Sequence, residues 1–413
     1  MLLLYKFAIR CYYIVIKIAS LFNGKARLWI EGRKYNFLQL EKALSGKQQP
    51  VIWMHSASLG EFEQGRPVLE ELRQKYPNHF LLLTFFSPSG YEIRKNYAAV
   101  DHVAYLPLDT ATNAKRFLDI VQPELAIFVK YEFWYHFLTA LRQRKTPTLL
   151  ISALFRKEQH FFKPWGGFFR KMLVCFNYIF VQDENSKKLL EGLGLSKITR
   201  CGDTRVDRVL QIAKEAKSFP EIEAFVANGK VMVCGSTWSE DEEKIAQWFD
   251  KNAADWKLII APHDIQERRL REVEERFASQ SIRFSQLGNK EDFEDRVLII
   301  DNIGMLSSLY RYAYIAYVGG GFGAGIHSTL EPAAYSIPIC FGPKFHKFVE
   351  ARELVKQGGA FVVDDLEGIV TMLLEKGNYE ESSRIVQAFM QRNEGATATV
   401  VKYVDSLLQD LSS

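Results

Sequence analysis

Residues 51–72 read VIWMHSASLGEFEQGRPVLEEL, and this stretch predicts a strand, a loop of small residues and a helix in direct succession. The first half of the chain repeats the strand pattern in four further short apolar runs: FLLLTFF (80–86), LAIFV (125–129), TLLISA (148–153) and YIFVQ (178–182). Segments of helical length separate these runs. Such alternation predicts a parallel sheet covered by helices on both faces.

The second half of the chain begins the same alternation again near residue 230. Its strand-like runs are VMVCGS (231–236), KLIIAP (257–262), VLII (297–300), YIAYVGG (314–320) and IPICFG (337–342). The polar stretch 207–230 between the two series is helical in pattern and broken by Pro220, as expected of a connector. We therefore expect an α/β protein of two doubly wound domains, with ligands at the carboxyl ends of the strands, in a cleft shared by the two domains.

Composition and charge narrow the class of protein. The chain has 413 residues, of which 47% are hydrophobic and 25% charged, so it is globular and not disordered. Its five cysteines form no C-x-x-C pair, which argues against most zinc and disulfide frameworks and favours a reducing cytoplasm. The formal net charge is +4, whereas residues 1–50 alone carry +7. This basic head predicts contact with an anionic surface and not with nucleic acid.

Residues 2–22 form an apolar segment interrupted by Lys6, Arg10 and Lys17. On a helix these cations fall within about 40° of one another, which predicts an amphipathic helix that lies in a membrane interface and does not span it. The charges are not placed as in a cleavable signal peptide. A helix packed only on its own domain is the alternative.

Several motifs at strand ends could carry chemistry. Glu61 opens the helix after the first strand, where the helix dipole favours an ionised carboxylate able to accept a proton, although helix-start glutamates are common. Four glycines lie between residues 319 and 323, before a helix expected to begin near 327–329. Such a loop suits a phosphate, and Glu331 in it could accept hydrogen bonds from a ribose. A match to G-x-G-x-x-A there is weak evidence for a dinucleotide.

Three further motifs each allow two interpretations. Ser236 or Thr237 could cap a helix or bind phosphate, and Arg205 could reach an anionic donor or lie solvated on the surface. Residues 160–172, HFFKPWGGFFRKM, mix aromatic and basic side chains in a way that suits a lipid, with aromatic core as the alternative.

Taken together, these motifs resemble the transferases of 3-deoxy-D-manno-octulosonic acid (Kdo) in lipopolysaccharide synthesis. The resemblance spans nearly the whole chain. It rests on HSASLGE (55–61), SPSG (87–90), EFW (132–134), GDTRVD (202–207), GST (235–237) and GGGFGAGIHSTLEPAA (319–334), which occur in the family's order.

The resemblance implies a GT-B glycosyltransferase that moves Kdo from CMP-Kdo to the 6'-hydroxyl of a tetraacyl lipid A precursor (lipid IVA), with inversion and without metal or cofactor. It implies a membrane-interface helix at 1–24, an acceptor domain at 25–206, a linker at 207–230, a CMP-Kdo domain at 231–392 and a C-terminal helix at 393–413 returning to the first domain. The expected location is the cytoplasmic face of the inner membrane.

The resemblance also assigns roles to residues. Glu61 matches the proposed general base, and Glu132 matches a second catalytic acid. The donor site is expected at Arg205, Ser236, Thr237, Gly319, Gly320, Gly321, His327, Ser328 and Glu331. The acceptor site is expected at Ser58, Gly60, Ser87, Lys163 and Arg170.

The chain departs from the family's pattern at a few positions. Lys130 stands where relatives have an acid, Arg205 where they commonly have Lys, Trp238 where they have His, and the segment from Pro262 to Arg268 is altered. The alternatives left open are a GT-B transferase or epimerase that uses a UDP-sugar, and a catalytically silent lipid-A-binding protein.

Overall fold

The computed structural model describes residues 1–227, 229–252, 254–277, 280–288 and 294–412. The chain divides into two compact units, Met1–Asp207 with Asn393–Ser413 and Arg208–Arg392. The segment 207–230, expected as a linker, supplies two buried side chains, Ile222 and Phe225, to the core of the second unit. Each unit has its own hydrophobic core and is described separately.

In the first unit, three helices precede the first strand, and further helices alternate with the strands. In chain order its elements are α1 (Leu2–Ala19), α2 (Gly24–Glu31), α3 (Asn36–Leu44), β1 (Val51–Ser56), α4 (Leu59–Lys75), β2 (Phe80–Phe85), α5 (Pro88–Arg94), β3 (His102–Tyr105), α6 (Ala111–Val121), β4 (Leu125–Val129), α7 (Tyr135–Gln143), β5 (Thr148–Ala153), α8 (Gly167–Leu173), β6 (Tyr178–Val181), α9 (Glu184–Glu191), β7 (Ile198–Arg200) and the start of α10 (Thr204–Lys214).

In the described residues the first sheet has seven parallel strands in the order β3-β2-β1-β4-β5-β6-β7. Its central strands are continuous runs of buried apolar residues because helices cover both faces. The order reverses between β1 and β4, so the loops after these two strands lie beside each other at the switch point of the sheet.

The second unit repeats this plan. Its elements are α11 (Pro220–Val226), β8 (Lys230–Thr237), α12 (Ser239–Asn252), β9 (Trp256–Pro262), α13 (Glu267–Phe277), β10 (Ser281–Arg283), β11 (Val297–Ile299), α14 (Leu306–Leu309), β12 (Ile315–Val318), α15 (Leu330–Ala333), β13 (Ile339–Phe341), α16 (Val349–Gln357), β14 (Ala360–Val362), α17 (Leu366–Leu374) and α18 (Asn378–Asn393). Over the described residues its strands are parallel, in the order β10-β11-β9-β8-β12-β13-β14, with the switch point between β8 and β12. The predicted α/β class with two doubly wound sheets is confirmed.

The C-terminal helix α19 (Ala396–Ser412) is part of the first unit and packs against α4. Asp207 fixes its beginning, because its carboxylate oxygens accept hydrogen bonds from the backbone of Gly395 and Thr397, both at 2.6 Å. Farther along, the Tyr76 hydroxyl donates to the Asp405 carboxylate at 2.7 Å. Asp207, the last residue of the GDTRVD motif, therefore has a structural role at the N-terminus of α19.

The first helix, α1, touches the first unit along one side only. Leu2 and Tyr5 pack against the core, and the Tyr5 hydroxyl donates to Asp109 at 2.5 Å, but none of the helix residues is fully buried. A stripe of large apolar side chains on the other side, including Phe7 and Ile14, is exposed. Among the described residues, no helix combines the length and the apolar character required to cross a membrane.

Candidate active site

Glu61 lies three residues inside the N-terminal end of α4, directly after the loop that follows β1. Ser58 is the N-cap residue in extended conformation, and Glu61 Oε2 accepts a hydrogen bond from the Ala57 amide at 2.8 Å. An S-x-x-E sequence favours a capping box, but here the bond comes from the residue before the N-cap, and the Ser58 side chain makes no capping bond. The carboxylate is thus held by the turn between β1 and α4.

Glu132 follows β4 at the switch point and is almost completely buried. Two ring nitrogens converge on its Oε2 atom, His55 Nε2 at 2.9 Å and Trp134 Nε1 at 2.6 Å. His55 lies near the end of β1 and is fully buried. The three residues of this cluster, His55, Glu132 and Trp134, thus join the ends of β1 and β4.

The charge of Glu132 acts on Glu61. Burial, and then the negative charge of Glu132, raise the pKa of Glu61 to about 7, while the Ala57 and Ser58 amides and the Lys130 ammonium partly oppose the rise. A carboxylate with this pKa changes its ionisation near neutral pH, which suits a group that accepts a proton during catalysis.

Lys130, one of the departures from the family's pattern, lies directly after β4 in a left-handed conformation with φ of 67°. Its charge favours the ionised forms of both Glu61 and Asp203. Lys130 therefore reduces the repulsion between the neighbouring carboxylates. An acidic residue at this position would increase it.

Arg205, expected at the donor site, lies in the first unit. Its guanidinium pairs with Asp203, with Nη2 at 2.6 Å from Oδ2, and this pairing keeps the pKa of Asp203 below its usual value despite burial. The structure thus places Arg205 in the unit that holds Glu61 and Glu132, whereas the other expected donor residues lie in the second unit.

In the second unit, the glycine-rich loop after β12 is packed against backbone. A Cβ atom at Gly319 would lie 2.3 Å from the Ser236 carbonyl oxygen, and one at Gly321 would lie 2.5 Å from the Gly342 amide nitrogen. Gly320 has a φ of 91° and donates its N–H to Asp241 at 2.8 Å. These glycines allow close approach of the loop to the ends of β8 and β13.

Ser236 and Thr237 end β8 beside this loop, at the switch point of the second sheet. Ser236 adopts a φ of 55°, which is uncommon for a residue with a side chain. The Thr237 hydroxyl is buried and donates to Glu242 Oε1 at 2.8 Å. Thr237 therefore serves the start of α12 in this structure.

His327 lies over the glycine loop, where its ring would be 3.2 Å from a Cβ at Gly320. Its imidazole stacks on His263 with ring centroids 4.6 Å apart, and His263 stacks on Trp238 at the same distance. Burial and the neighbouring His263 lower the pKa of His327. The two departures at 238 and 263 thus form one aromatic stack with His327.

The helix expected near 327–329 begins later and is short, since α15 covers only Leu330–Ala333. Ser328 is exposed in the loop before it, and Glu331 is partly buried, with its pKa raised by burial. A four-residue helix has only a small macrodipole. The argument for anion binding here therefore rests on the backbone of the glycine-rich loop.

The residues expected at the acceptor site lie in three places in the first unit: the start of α4, the start of α5 and the segment 160–172. Gly60 is exposed with no atom within 4 Å of a Cβ position, and Ser87 caps α5 by accepting from the Ser89 amide at 3.2 Å. With Ser58 they flank β1 and β2 at the same end of the sheet.

Lys163 and Arg170 belong to the aromatic segment 160–172. Arg170 donates to the backbone carbonyls of Phe161 and Lys163, both at 3.3 Å, and so holds the turn together. Phe161 and Phe168 are buried in the core, whereas Trp165 is 61% exposed. Much of this segment is thus aromatic core, with one indole left for external contact.

The sequence patterns did not single out the roles of His55 and Trp134, although both belong to the quoted motifs. For Trp134 a signal was present, because its ring nitrogen lies two residues from Glu132. His55 is 77 residues from Glu132, and its contact depends on the pairing of β1 with β4. In the described residues, no group of three or more His, Cys, Asp or Glu side chains is arranged to hold a metal ion.

Comparison with known proteins decides the family. A family model described as 3-deoxy-D-manno-octulosonic-acid transferase (Kdo transferase) matches residues 32–208. A 3-deoxy-D-manno-octulosonic acid transferase of Aquifex aeolicus is 30% identical over 332 residues, covering 79% of this chain and 85% of the relative. The chain belongs to the Kdo transferase family. A Kdo transferase of Chlamydia muridarum is 27% identical and covers 93% of this chain and 89% of the relative.

Kdo transferases are glycosyltransferases, and solved structures agree with the expected GT-B fold. The UDP-GlcNAc 2-epimerase from Neisseria meningitidis has a TM-score of 0.58 at 15% identity and covers 87% of this chain and 100% of that one. A UDP-N-acetylglucosamine 2-epimerase from Listeria monocytogenes, described as putative, has a TM-score of 0.56 at 12% identity, covering 88% and 98%. At such identities the likeness concerns the fold alone.

Proposed function

We propose that this Kdo transferase moves Kdo from CMP-Kdo to the 6'-hydroxyl of a tetraacyl lipid A precursor, with inversion at the anomeric carbon. The observation that carries the proposal is the partly buried Glu61 carboxylate beside the buried Glu132 carboxylate, at the switch point of the first sheet, in a chain of this family. Glu61, with a pKa of about 7, acts as general base and takes the proton of the attacking hydroxyl while CMP departs.

In this proposal the second unit binds the donor. The backbone of the loop from Gly319 to Gly321 and the side chains of Ser236, His327 and Ser328 contact the nucleotide phosphate, and Glu331 accepts from ribose hydroxyls. Thr237 and Arg205 remain proposed donor-binding residues, although in this structure Thr237 donates to Glu242 and Arg205 pairs with Asp203. The acceptor contacts remain those expected in the first unit: Ser58, Gly60, Ser87, Lys163 and Arg170.

Product formation tests the reaction directly. We expect purified protein incubated with CMP-Kdo and a tetraacyl lipid A precursor to yield a lipid heavier by one or more Kdo residues in mass spectrometry. We also expect CMP to raise the unfolding temperature in a concentration-dependent manner, because a ligand that binds only the folded state stabilises it. Protection by UDP-sugars and not by CMP would contradict the donor, and lipid binding without release of CMP would indicate a silent binding protein.

We also propose that α1 holds the enzyme on an anionic membrane, at the cytoplasmic face of the inner membrane. Leu3, Phe7, Ile14 and Ile18 lie within about 60° of one another on the helix, and all are more than half exposed. Lys6, Arg10 and Lys17 are also exposed and lie beside this stripe. An apolar stripe bordered by cations is typical of a helix adsorbed in the interface.

Substitution of this stripe should release the protein from membranes. We expect the triple change Phe7→Ser, Ile14→Ser and Ile18→Ser to lower partition onto phosphatidylethanolamine–phosphatidylglycerol vesicles at least tenfold in a sedimentation assay, since each side chain loses apolar contact with lipid. Deletion of residues 1–22 should act likewise, but it also removes the Tyr5–Asp109 bond.

Ile303 provides the matched control, because it is 88% exposed and lies in the second unit. Ile303→Ser should leave partition unchanged. Vesicle binding by the triple variant equal to that of the unaltered protein would refute the interfacial helix.

A further inference from the structure

The cluster formed by His55, Glu132 and Trp134 has a geometry that the proposed function does not by itself explain. Both nitrogens approach the same oxygen, Glu132 Oε2, and the Trp134 Nε1 atom also lies 3.1 Å from His55 Nε2. Two donors on one oxygen fix the position of a carboxylate more tightly than one, because charge-assisted hydrogen bonds are short and strong.

His55 is itself held rigidly from the opposite side of its ring. Its Nδ1 lies 2.9 Å from the Thr84 hydroxyl, and that hydroxyl accepts a hydrogen bond from Trp53 Nε1 at 2.8 Å. These side chains stand on β1 and β2 and are fully buried. The imidazole therefore cannot turn away from Glu132 without leaving buried polar atoms unpaired.

A proton on Nε2 makes His55 a donor to Glu132. On the other side of the ring, Nδ1 lies 2.9 Å from the Thr84 hydroxyl, which can donate to it, and 3.1 Å from the Thr84 carbonyl oxygen, which can only accept. Trp134 Nε1, which can only donate, completes the shell of Glu132 Oε2. The side chains of Trp53, Thr84 and His55 thus form a connected polar chain that ends at the carboxylate.

Trp134 is placed by aromatic packing. Its ring lies 4.5 Å from that of Phe86, which in turn packs against Trp29 at 5.6 Å. The Arg33 guanidinium lies 3.8 Å over the Trp29 ring. The indole is therefore fixed by its ring and is not held only by its hydrogen bonds.

We propose that His55 and Trp134 are positioning residues, which hold the Glu132 carboxylate beside Glu61 through two donors to one oxygen. This inference rests on the proposed function, in which Glu61 is the base. The groups with ionisable side chains that act on Glu61 in the described residues are Glu132, Lys130 and Tyr131. After burial, the charge of Glu132 contributes most to the raised pKa of Glu61, so its placement affects the pH at which Glu61 becomes available.

Two substitutions of His55 separate the hydrogen bond from the shape of the side chain. The His55→Gln amide nitrogen reaches about as far as Nε2 and keeps the donor to Glu132, whereas the His55→Asn amide ends near Nδ1 and loses it. We expect His55→Asn to lower kcat 10- to 100-fold with KM for the donor within twofold, and His55→Gln to stay within fivefold of the unaltered enzyme.

The pH profile distinguishes positioning from a merely structural role. In His55→Asn, and in Trp134→Phe, which keeps the ring and removes Nε1–H, Glu132 Oε2 loses one of its two donors, and its charge is no longer fixed beside Glu61. The acid limb of kcat/KM should then move to lower pH by at least 0.5 units. Trp134→Phe also provides the test should His55→Asn fail to fold.

His79→Gln is the matched control, because His79 and Glu124 form another His–Glu pair of the same unit at 3.0 Å, away from this cluster. It should leave kcat and the profile unchanged. The inference is overturned if His55→Asn and Trp134→Phe keep the normal acid limb, or if His55→Gln is as impaired as His55→Asn.

A second measurement does not depend on activity. Because the pKa of Glu61 is raised in the folded state, the contribution of Glu61 to stability falls between pH 5 and pH 8. Relative to the unaltered protein, His55→Asn and Trp134→Phe should therefore show a smaller fall, or a larger rise, in unfolding temperature over this range. If the unaltered protein transfers no sugar but shows this difference, the proposed function fails and the positioning of Glu132 stands. An equal change in all three proteins refutes the positioning.

Discussion

Glu61→Gln is expected to lower turnover by at least two orders of magnitude. A positioned general base contributes about 10²- to 10⁴-fold to a reaction. The amide keeps the shape of Glu61 and can still accept from the Ala57 amide, now 2.8 Å from Oε2, but it cannot take a proton. The loss should appear in kcat, measured by release of CMP, and it should not be recovered at higher pH.

Glu63→Gln provides a matched control on the same helix. The Glu63 carboxylate pairs with Arg94 at 2.8 Å and lies outside the Glu61–Glu132 pair, so turnover should change less than twofold. If Glu61→Gln kept more than a tenth of the turnover, Glu61 would not be the base, and Glu132 would be the next carboxylate to test.

Stability shows whether the same variant remains folded, and the sign follows from the pKa. The pKa of Glu61 rises from 4.5 to about 7 in the folded protein, so its contribution to stability is present below pH 4.5 and is lost as pH rises through 7. At pH 8 the ionised, buried carboxylate costs stability that an amide does not. Glu61→Gln should therefore unfold at the same or a higher temperature than the unaltered protein at pH 8.

The sequence was sufficient to predict the central strands of both sheets. Strands β1, β4, β5, β8 and β9 are buried, and such strands leave continuous apolar runs that can be recognised without a structure. The strands that the patterns missed, β3, β7, β10 and β14, have three or four residues each. They lie at or beside sheet edges, where short strands with partly exposed residues give little periodic signal.

The positions of the motifs were predictable for a related reason. In a parallel sheet all carboxyl ends meet at one edge, so Glu61 and Glu132 after β1 and β4 had to come near each other once the strand order was known. What each side chain does there was not predictable. Whether Asp207 binds a ligand or caps α19 depends on a contact 188 residues away in the chain. Whether Thr237 donates to a ligand or to Glu242 depends on the local geometry between β8 and α12.

The aromatic segment 160–172 shows the limit of composition as a guide. Its mixture of phenylalanine and basic residues is compatible with lipid contact and with a core. The structure buries Phe161 and Phe168 and uses Arg170 to hold backbone carbonyls. Gly166 in this segment is required by close packing, because a Cβ there would lie 2.2 Å from the His160 carbonyl oxygen.

Gly319→Ala is expected to have the second largest effect, on the stability of the second unit and on nucleotide binding. Its Cβ would lie 2.3 Å from the Ser236 carbonyl oxygen and 2.6 Å from Thr237 Cα. These are backbone atoms at the end of β8, so no side-chain rotation can relieve the overlap. Overpacking of this kind costs about 1–3 kcal/mol, which corresponds to several degrees in unfolding temperature.

The same displacement would separate the glycine loop from β8, where the proposed donor site is built. Gly319→Ala should therefore lose stabilisation by CMP and at least tenfold in turnover. Gly323→Ala lies in the same loop, but its nearest atom is 3.8 Å from the Cβ position, so it should behave as the unaltered protein. Equal CMP stabilisation and equal turnover in the two variants would show that close packing of Gly319 on β8 is not required, and the donor site would have to be sought elsewhere in the second unit.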